Sequence, residues 1–189
     1  TAASLQIQDS VKPVLEAVSA TGASSARVVL SPDVIPENQN ETPSRFAAGA
    51  HSENYAHLDS QIMAQSERQE ILIITNLARG RGLNIDPSLQ RPGALMAVAL
   101  RHENRFLGVL WAAYDQPRLF SDADARFMTT LANQTALAVS NAYLFLSVEV
   151  GRQQLEAILA STPDPVLVTD HRNRLVLANP AAQQVFGAL

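Results

Sequence analysis

Cysteine is absent from the 189 residues. That excludes disulfides, Cys-ligated zinc or iron–sulfur clusters, thiol redox sensing and thioether attachment of a chromophore. The absence fits a reducing compartment, and a cytoplasmic protein is expected. An excess of positive charge is lacking as well. A net charge of −4 and a pI near 5.5 give no electrostatic reason to bind nucleic acid or an anionic membrane. No run reaches the eighteen or so apolar residues that span a bilayer, and no signal peptide opens the chain. No membrane contact is expected of it. Aromatics are few, at 5% with one tryptophan. The arginines at 79, 81, 91, 101 and 105 cluster without aromatic interleaving and read as a solvated face. The first residue is Thr1 rather than methionine, so the chain reads as a fragment of something longer.

What is present is an ordinary globular composition, 47% apolar and 17% charged. The length suits one domain with a full core plus an appendage. Residues 4–19 place Ile7, Val11, Val14, Leu15 and Val18 on one face of an amphipathic helix. Pro13 predicts either a start near Lys12 or a kink, and Gly22 the stop. ARVVLS (26–31) reads as a strand, 32–43 as a surface loop, and 45–49 as a weaker strand. Residues 52–67 read as a helix capped by Ser52, with Leu58, Ile62 and Met63 facing inward. EILIIT (70–75) predicts a strand buried on both faces. Residues 76–93, with Gly80, Gly82, Pro87 and Pro92, predict loop. The apolar runs 94–100 and 106–114, split by Arg101 to Arg105, predict an antiparallel hairpin.

Ser121, with Asp122 and Asp124 behind it, is a helix start. No glycine or proline follows until Gly151, and the pattern resumes to Ala160, giving about 39 residues or roughly 58 Å. A small domain covers only about half of that. Phe127, Leu131, Ala132, Thr135 and Ala138 are expected against a sheet. Beyond them Leu137, Asn141, Leu144, Val148, Gly151, Leu155 and Ile158 alternate spacings of four and three, the pattern of a helix-pairing seam. Asn141 and Gly151 make it a seam that pairs without locking. Core contact with a downstream domain is the alternative use of the same stripe. The tail predicts strands at 166–169 and 175–178 around the turn 170–174, then a helix capped by Asn179 with Pro180 at its first position.

The order of elements resembles the GAF domain of bacterial signalling proteins. The stretch GVLWAAYDQPRLFSDADARFMTTLANQTALAVSNAYLF (108–145) is similar to that family's closing pattern, through Phe120, Ser121, Asp124, Leu131, Ala132, Gln134, Ala136, Ala138, Asn141 and Ala142. The tail is similar to the first third of a PAS domain through 163–170 and the Asn-Pro-Ala-Ala helix start (179–182). The resemblance implies an α+β fold: a GAF-like antiparallel sheet flanked by helices, and a long C-terminal signalling helix leading into a truncated PAS-like segment. The division it implies is a GAF sensor domain at 1–146, a helical linker at 147–160, and the N-terminal part of a PAS domain at 161–189. The truncated tail should be held by contacts with the rest of the chain or with a partner chain.

This order of domains looks like the sensory region of a histidine kinase in a two-component system; it also precedes diguanylate cyclases and serine phosphatases. The implied partners are a second copy paired through the helices, downstream PAS and kinase domains in the same chain, and a small-molecule ligand. The cofactor is unknown. A covalent bilin would need a cysteine, and the Asn-Lys pair of cyclic-nucleotide GAF domains is missing, since Asn133 is followed by Gln134. GAF-fold methionine sulfoxide reductases rely on cysteines that this chain lacks. No catalytic residue, phosphate loop or metal site is predicted. His51, Tyr55 and His57, around the 52–67 helix, and Trp111 and Tyr114, on opposite faces of one strand, are the candidate pocket residues. Ordinary surface histidines and core aromatics are their commoner use. His102 and His171 are expected in hairpin turns.

Overall fold

The computed structural model describes residues 2–34, 44–79 and 82–187. The chain divides into two compact units, Thr1–Leu144 and Phe145–Leu189.

In the first unit α1 (Ala2–Ser19) runs through Pro13. The missing Pro13 amide leaves only the Asp9 carbonyl without its helical donor, and Asp9 is solvent-exposed, so the helix continues. Ile7, Val11 and Val18 are fully buried, and Val14 and Leu15 nearly so. Gly22, at φ +88°, ends the turn after it. Five antiparallel strands follow: β1 (Ser25–Leu30), β2 (Ser44–Ala48), β3 (Ile71–Ile74), β4 (Ala94–His102) and β5 (Arg105–Tyr114), in the order β2-β1-β5-β4-β3. Strand 45–49 and the 94–114 hairpin are where the sequence puts them. The hairpin turn is tighter than expected, because His102 pairs with Arg105. Only Glu103 and Asn104 remain in the turn, both at positive φ (48° and 65°), as the twist of a two-residue hairpin demands. His102 thus ends a strand rather than lying in the turn.

Two expectations are corrected here. The apolar run at 70–75 is not buried on both faces: among the described residues β3 pairs only with β4, at the sheet edge, leaving Ile71 36% and Ile73 43% exposed. Ser52 is not a side-chain cap. Its backbone is already helical, and a 3-10 turn (Glu53–Leu58) precedes α2 (Asp59–Arg68). Most of the loop expected at 32–43 lies outside the described residues, as do Gly80 and Arg81.

The sheet carries a core on each face. On one, α1 and the first part of α3 (Asp122–Ser161) cover Ala26, Val28, Leu30, Met96, Val98, Leu110 and Ala112. On the other, Tyr55, Leu58, Ile62, Leu77 and Ile85 cover Val29, Leu95, Ala97, Val109 and Trp111. The start of α3 is a reciprocal box: Ser121 Oγ accepts from the Asp124 amide, and the Asp124 carboxylate accepts from the Ser121 amide. The helix has 40 residues. Its sheet-facing stripe is Met128, Ala132, Thr135, Ala136, Val139 and Ala142. Phe127, expected inside, is 39% exposed, one position off the buried stripe that Met128 occupies.

The second unit holds the rest of α3, the hairpin β6 (Leu167–Thr169) and β7 (Leu175–Ala178), and α4 (Pro180–Phe186). Asn179, 2% exposed, organises it. Its Oδ1 accepts from the Ala182 and Val166 amides, and its Nδ2 donates to the carbonyls of Leu159 and Asp164. One side chain therefore caps α4 and ties it to β6 and to the end of α3. Val168, Val176, Val185 and Phe186 stay exposed.

Candidate functional site

Arg27 is the one charge in β1, a strand buried along its whole length. A guanidinium there needs a partner, because burying an unpaired charge is prohibitive. Asp59 meets it in the first turn of α2, where the helix dipole also favours a carboxylate. Arg27 Nε and Nη2 donate to the two Asp59 oxygens at 2.8 and 2.7 Å, a fork-to-fork pair. Trp111 Nε1, from β5, donates to Asp59 Oδ1 at 3.0 Å, and Arg45 Nε, from β2, lies 3.3 Å from Oδ2. Arg27 Nη1 reaches the Ser52 carbonyl. Asp59 is fully buried and Arg27 is 2% exposed, while the Arg45 side chain is 45% exposed.

In front of this network a cleft of about 600 Å³ is lined by Arg27, Arg45, Ala47, Glu53, Ala56 and His57. His57 Nε2 is enclosed and meets no hydrogen-bond partner among the described residues. The cleft thus presents the half-exposed Arg45 guanidinium, an imidazole and one carboxylate, over an Arg27 guanidinium that is buried and already paired with Asp59. That set can orient a polar or anionic small molecule, and it contains no nucleophile paired to a base.

His51 and Tyr55 converge elsewhere, on Asp115. Tyr55 Oη donates to Asp115 Oδ1 at 2.8 Å, and His51 Nδ1 lies 3.0 Å from Oδ2. Burial, with the Asp115 carboxylate adding to it, pushes the Tyr55 hydroxyl up to about 12. Burial acts to raise Asp115 too, but hydrogen bonds from Ser24, Tyr55 and His51 outweigh it and hold the carboxyl below its ordinary value. Tyr114 is on the opposite face of the sheet. There its hydroxyl is 2.8 Å from Thr21 Oγ1, its ring packs edge-on against Phe120, and Arg118 lies over it. Four of the five candidates therefore form three groups: His57 at the cleft, Trp111 beneath it, and His51 with Tyr55 at Asp115. Tyr114 joins none of them.

Between the sheet and the 76–93 loop, the space lined by Ile74, Leu77, Gly82, Leu83, Ile85 and Arg91 is about 40 Å³. That is on the order of one water molecule, far below the few hundred Å³ of a small-molecule pocket. Along α3, Leu137, Asn141, Leu144, Val148, Gly151, Leu155 and Ile158 are all exposed, Leu144 by 58%, Val148 by 72% and Ile158 by 62%. Among the described residues no helix is long and apolar enough to cross a membrane.

Arg27, Asp59 and Arg45 were not among the residues that the sequence pointed to. Their signal was a lone arginine inside a β-branched strand, which implies a buried counter-charge without saying which carboxylate supplies it.

A family model described as GAF domain matches residues 39–141, and one described as PAS domain matches 153–189. A comparison with curated proteins found no match. Among solved structures, the chain is similar to the GAF domain of an Acinetobacter phosphoenolpyruvate-protein phosphotransferase at 19% identity and TM-score 0.59, covering 74% of this chain and 85% of that one. It is similar to a domain of a putative two-component sensor histidine kinase protein from Sinorhizobium meliloti 1021 at 20% identity and TM-score 0.54, covering 78% and 97%. It is also similar to a type II free methionine-R-sulfoxide reductase from Thermoplasma acidophilum at 13% identity and TM-score 0.55, covering 74% and 96%. At these identities the likeness is one of fold.

Proposed function

We propose that this chain, which belongs to the GAF domain family, is the sensory and regulatory module of a bacterial signal-transduction protein, a sensor histidine kinase. It passes its signal through α3, paired with that of a second copy, into PAS and output domains in the same chain. The observation that carries the reading is the exposed stripe from Leu137 to Ile158. Seven positions at alternating spacings of four and three, five of them large apolar side chains, face solvent on a helix only part of which covers the sheet. The match to a PAS model over 153–189, which begins in the last part of the stripe, and the fold likeness to a histidine kinase domain support the same reading. A cytoplasmic place goes with it, as does a division into sensor (1–146), linker (147–160) and PAS segment (161–189).

The pocket of this reading is the cleft at Arg27, Arg45, Glu53 and His57, which takes a polar or anionic small molecule. A ligand-free dimerisation spacer is the second reading, favoured by the 40 Å³ of the cavity between Ile74, Leu77, Leu83 and Ile85. Native mass spectrometry of gently purified protein separates them by a co-purified ligand. Light scattering tests the pairing: the parent is expected as a dimer at tens of micromolar and Leu144→Glu as a monomer. A parent that is already monomeric there refutes the pairing.

A further inference from the structure

The contact between the hairpin and α3 depends on an irregularity in β5. Leu110, Ala112 and Tyr114 belong to the helix-side core, and Val109, Trp111 and Ala113 to the opposite one. Strict alternation would put Leu107 with Val109, yet Leu107 packs with the helix-side core. The register slips between Leu100 and Arg101, opposite Leu107 and Gly108. One residue is inserted there, and every residue of β5 before Gly108 changes face. Gly108 has φ +147°, and a Cβ on it would lie 2.1 Å from the Val29 carbonyl oxygen, so the bulge requires glycine.

Phe106 is thereby turned to the α2 side, where it stacks under Arg101, whose guanidinium also donates to the Glu67 carbonyl. Arg105 is turned to the α3 side. Its guanidinium carbon lies 4.4 Å from the centroid of the Tyr143 ring. Its Nη2 donates to the Asp33 carboxylate at 2.9 Å and to the Asp33 carbonyl at 3.1 Å. The hairpin tip, the turn after β1 and α3 thus meet at one guanidinium. Tyr143 lies between Asn141 and Leu144 of the exposed stripe.

We propose that Arg105 is a positioning residue that sets the rotation of α3 where the helix leaves the sheet, a clamp whose opening lets the exposed stripe turn to a second setting. The use of that motion rests on α3 being a signalling helix; the clamp itself lies within one chain. Two features suit it to open and close. The stripe that α3 lays on the sheet is mostly small, with Ala132, Ala136 and Ala142, so few large side chains interlock to fix the rotation. The Arg105–Asp33 pair is 38% and 62% exposed, so it separates into water without burying an unpaired charge.

Because the chain has no cysteine, nitroxide labels attach only where cysteine is introduced. Ser60→Cys on α2 and Leu144→Cys on α3, both exposed, report the position of the helix by pulsed electron double resonance, with labelled chains diluted in excess unlabelled protein. The parent should give one narrow distance distribution. Arg105→Ala and Tyr143→Leu should each shift its maximum by about 2 Å or broaden it, on the scale of helix shifts in switching proteins. Arg105→Lys should stay nearer the parent. If Arg105→Ala fails to fold by circular dichroism, Tyr143→Leu carries the test from the helix side. A folded variant of either residue whose distribution superimposes on the parent's overturns the proposal. A monomer in light scattering would remove the dimer reading and leave this measurement untouched.

Discussion

Asp59 is where one side chain holds the most structure together. Its carboxylate gathers a guanidinium from β1, another from β2 and an indole from β5. Removing it leaves the Arg27 charge buried with the Ser52 carbonyl and the Trp111 ring but without its paired carboxylate. Asp59→Ala should therefore lower the unfolding free energy by about 3–5 kcal/mol in a urea titration. Arg45→Ala, which removes a half-exposed partner of the same carboxylate, should lower it by less than about 1 kcal/mol. Equal losses in the two variants would mean that the buried fork is not what holds the strands. At this scale the sequence was partly legible. Trp111 drew notice as an aromatic of the second hairpin strand, but its partner did not, since Asp59 lies inside the helix read at 52–67 and looks there like any other polar residue. His57 faces the cleft while Tyr55, two residues earlier, faces Asp115 beside His51, because a 3-10 turn rotates successive residues by about 120°.

Among the elements, the β4–β5 hairpin was the easiest to read and its bulge the hardest. Two long apolar runs around a polar break announce antiparallel strands, but a one-residue slip leaves no mark in composition. Gly108 is the mark that exists, and it looks like any strand glycine until the Val29 carbonyl is placed against it. Gly108→Ala should lose at least about 2 kcal/mol of stability in denaturant, since neither the backbone angle nor the space admits a methyl. A loss within about 0.5 kcal/mol, the ordinary surface value, would show that the bulge tolerates a side chain. The edge position of β3 was equally hidden. A run such as Ile-Leu-Ile-Ile reads the same at the centre of a sheet as at its border, and only strand order tells them apart.

Across the whole molecule, α3 belongs to two compact units with different burial. Up to Ala142 it covers the sheet with buried residues every three or four positions. Further along, Val148, Leu155 and Ile158 are exposed. Stability should follow, because amides protected only by local helix open more readily than those tied to a core. In hydrogen exchange on dilute protein, amides from 128 to 142 should exchange markedly more slowly than those from 148 to 160. Raising the concentration should slow the second group if copies pair along the stripe. Uniform protection along α3 in dilute protein would contradict the division. The exposed stripe was plain in the sequence because a period near 3.5 survives in any environment.

Periodicity, punctuation and end signals are local properties. The sequence alone therefore determined the buried face of α1, the long α3, the hairpin, the Ser121 and Asn179 caps, and the resemblance that named the family. Contacts between residues distant in the chain are not local. The Arg27–Asp59–Arg45–Trp111 network, the separation of Tyr114 from the other candidates, the exposed edge at β3 and the meeting of Arg105 with Asp33 and Tyr143 were decided only by the tertiary structure. Each depends on which strands lie side by side and on a register that a single bulge can reverse.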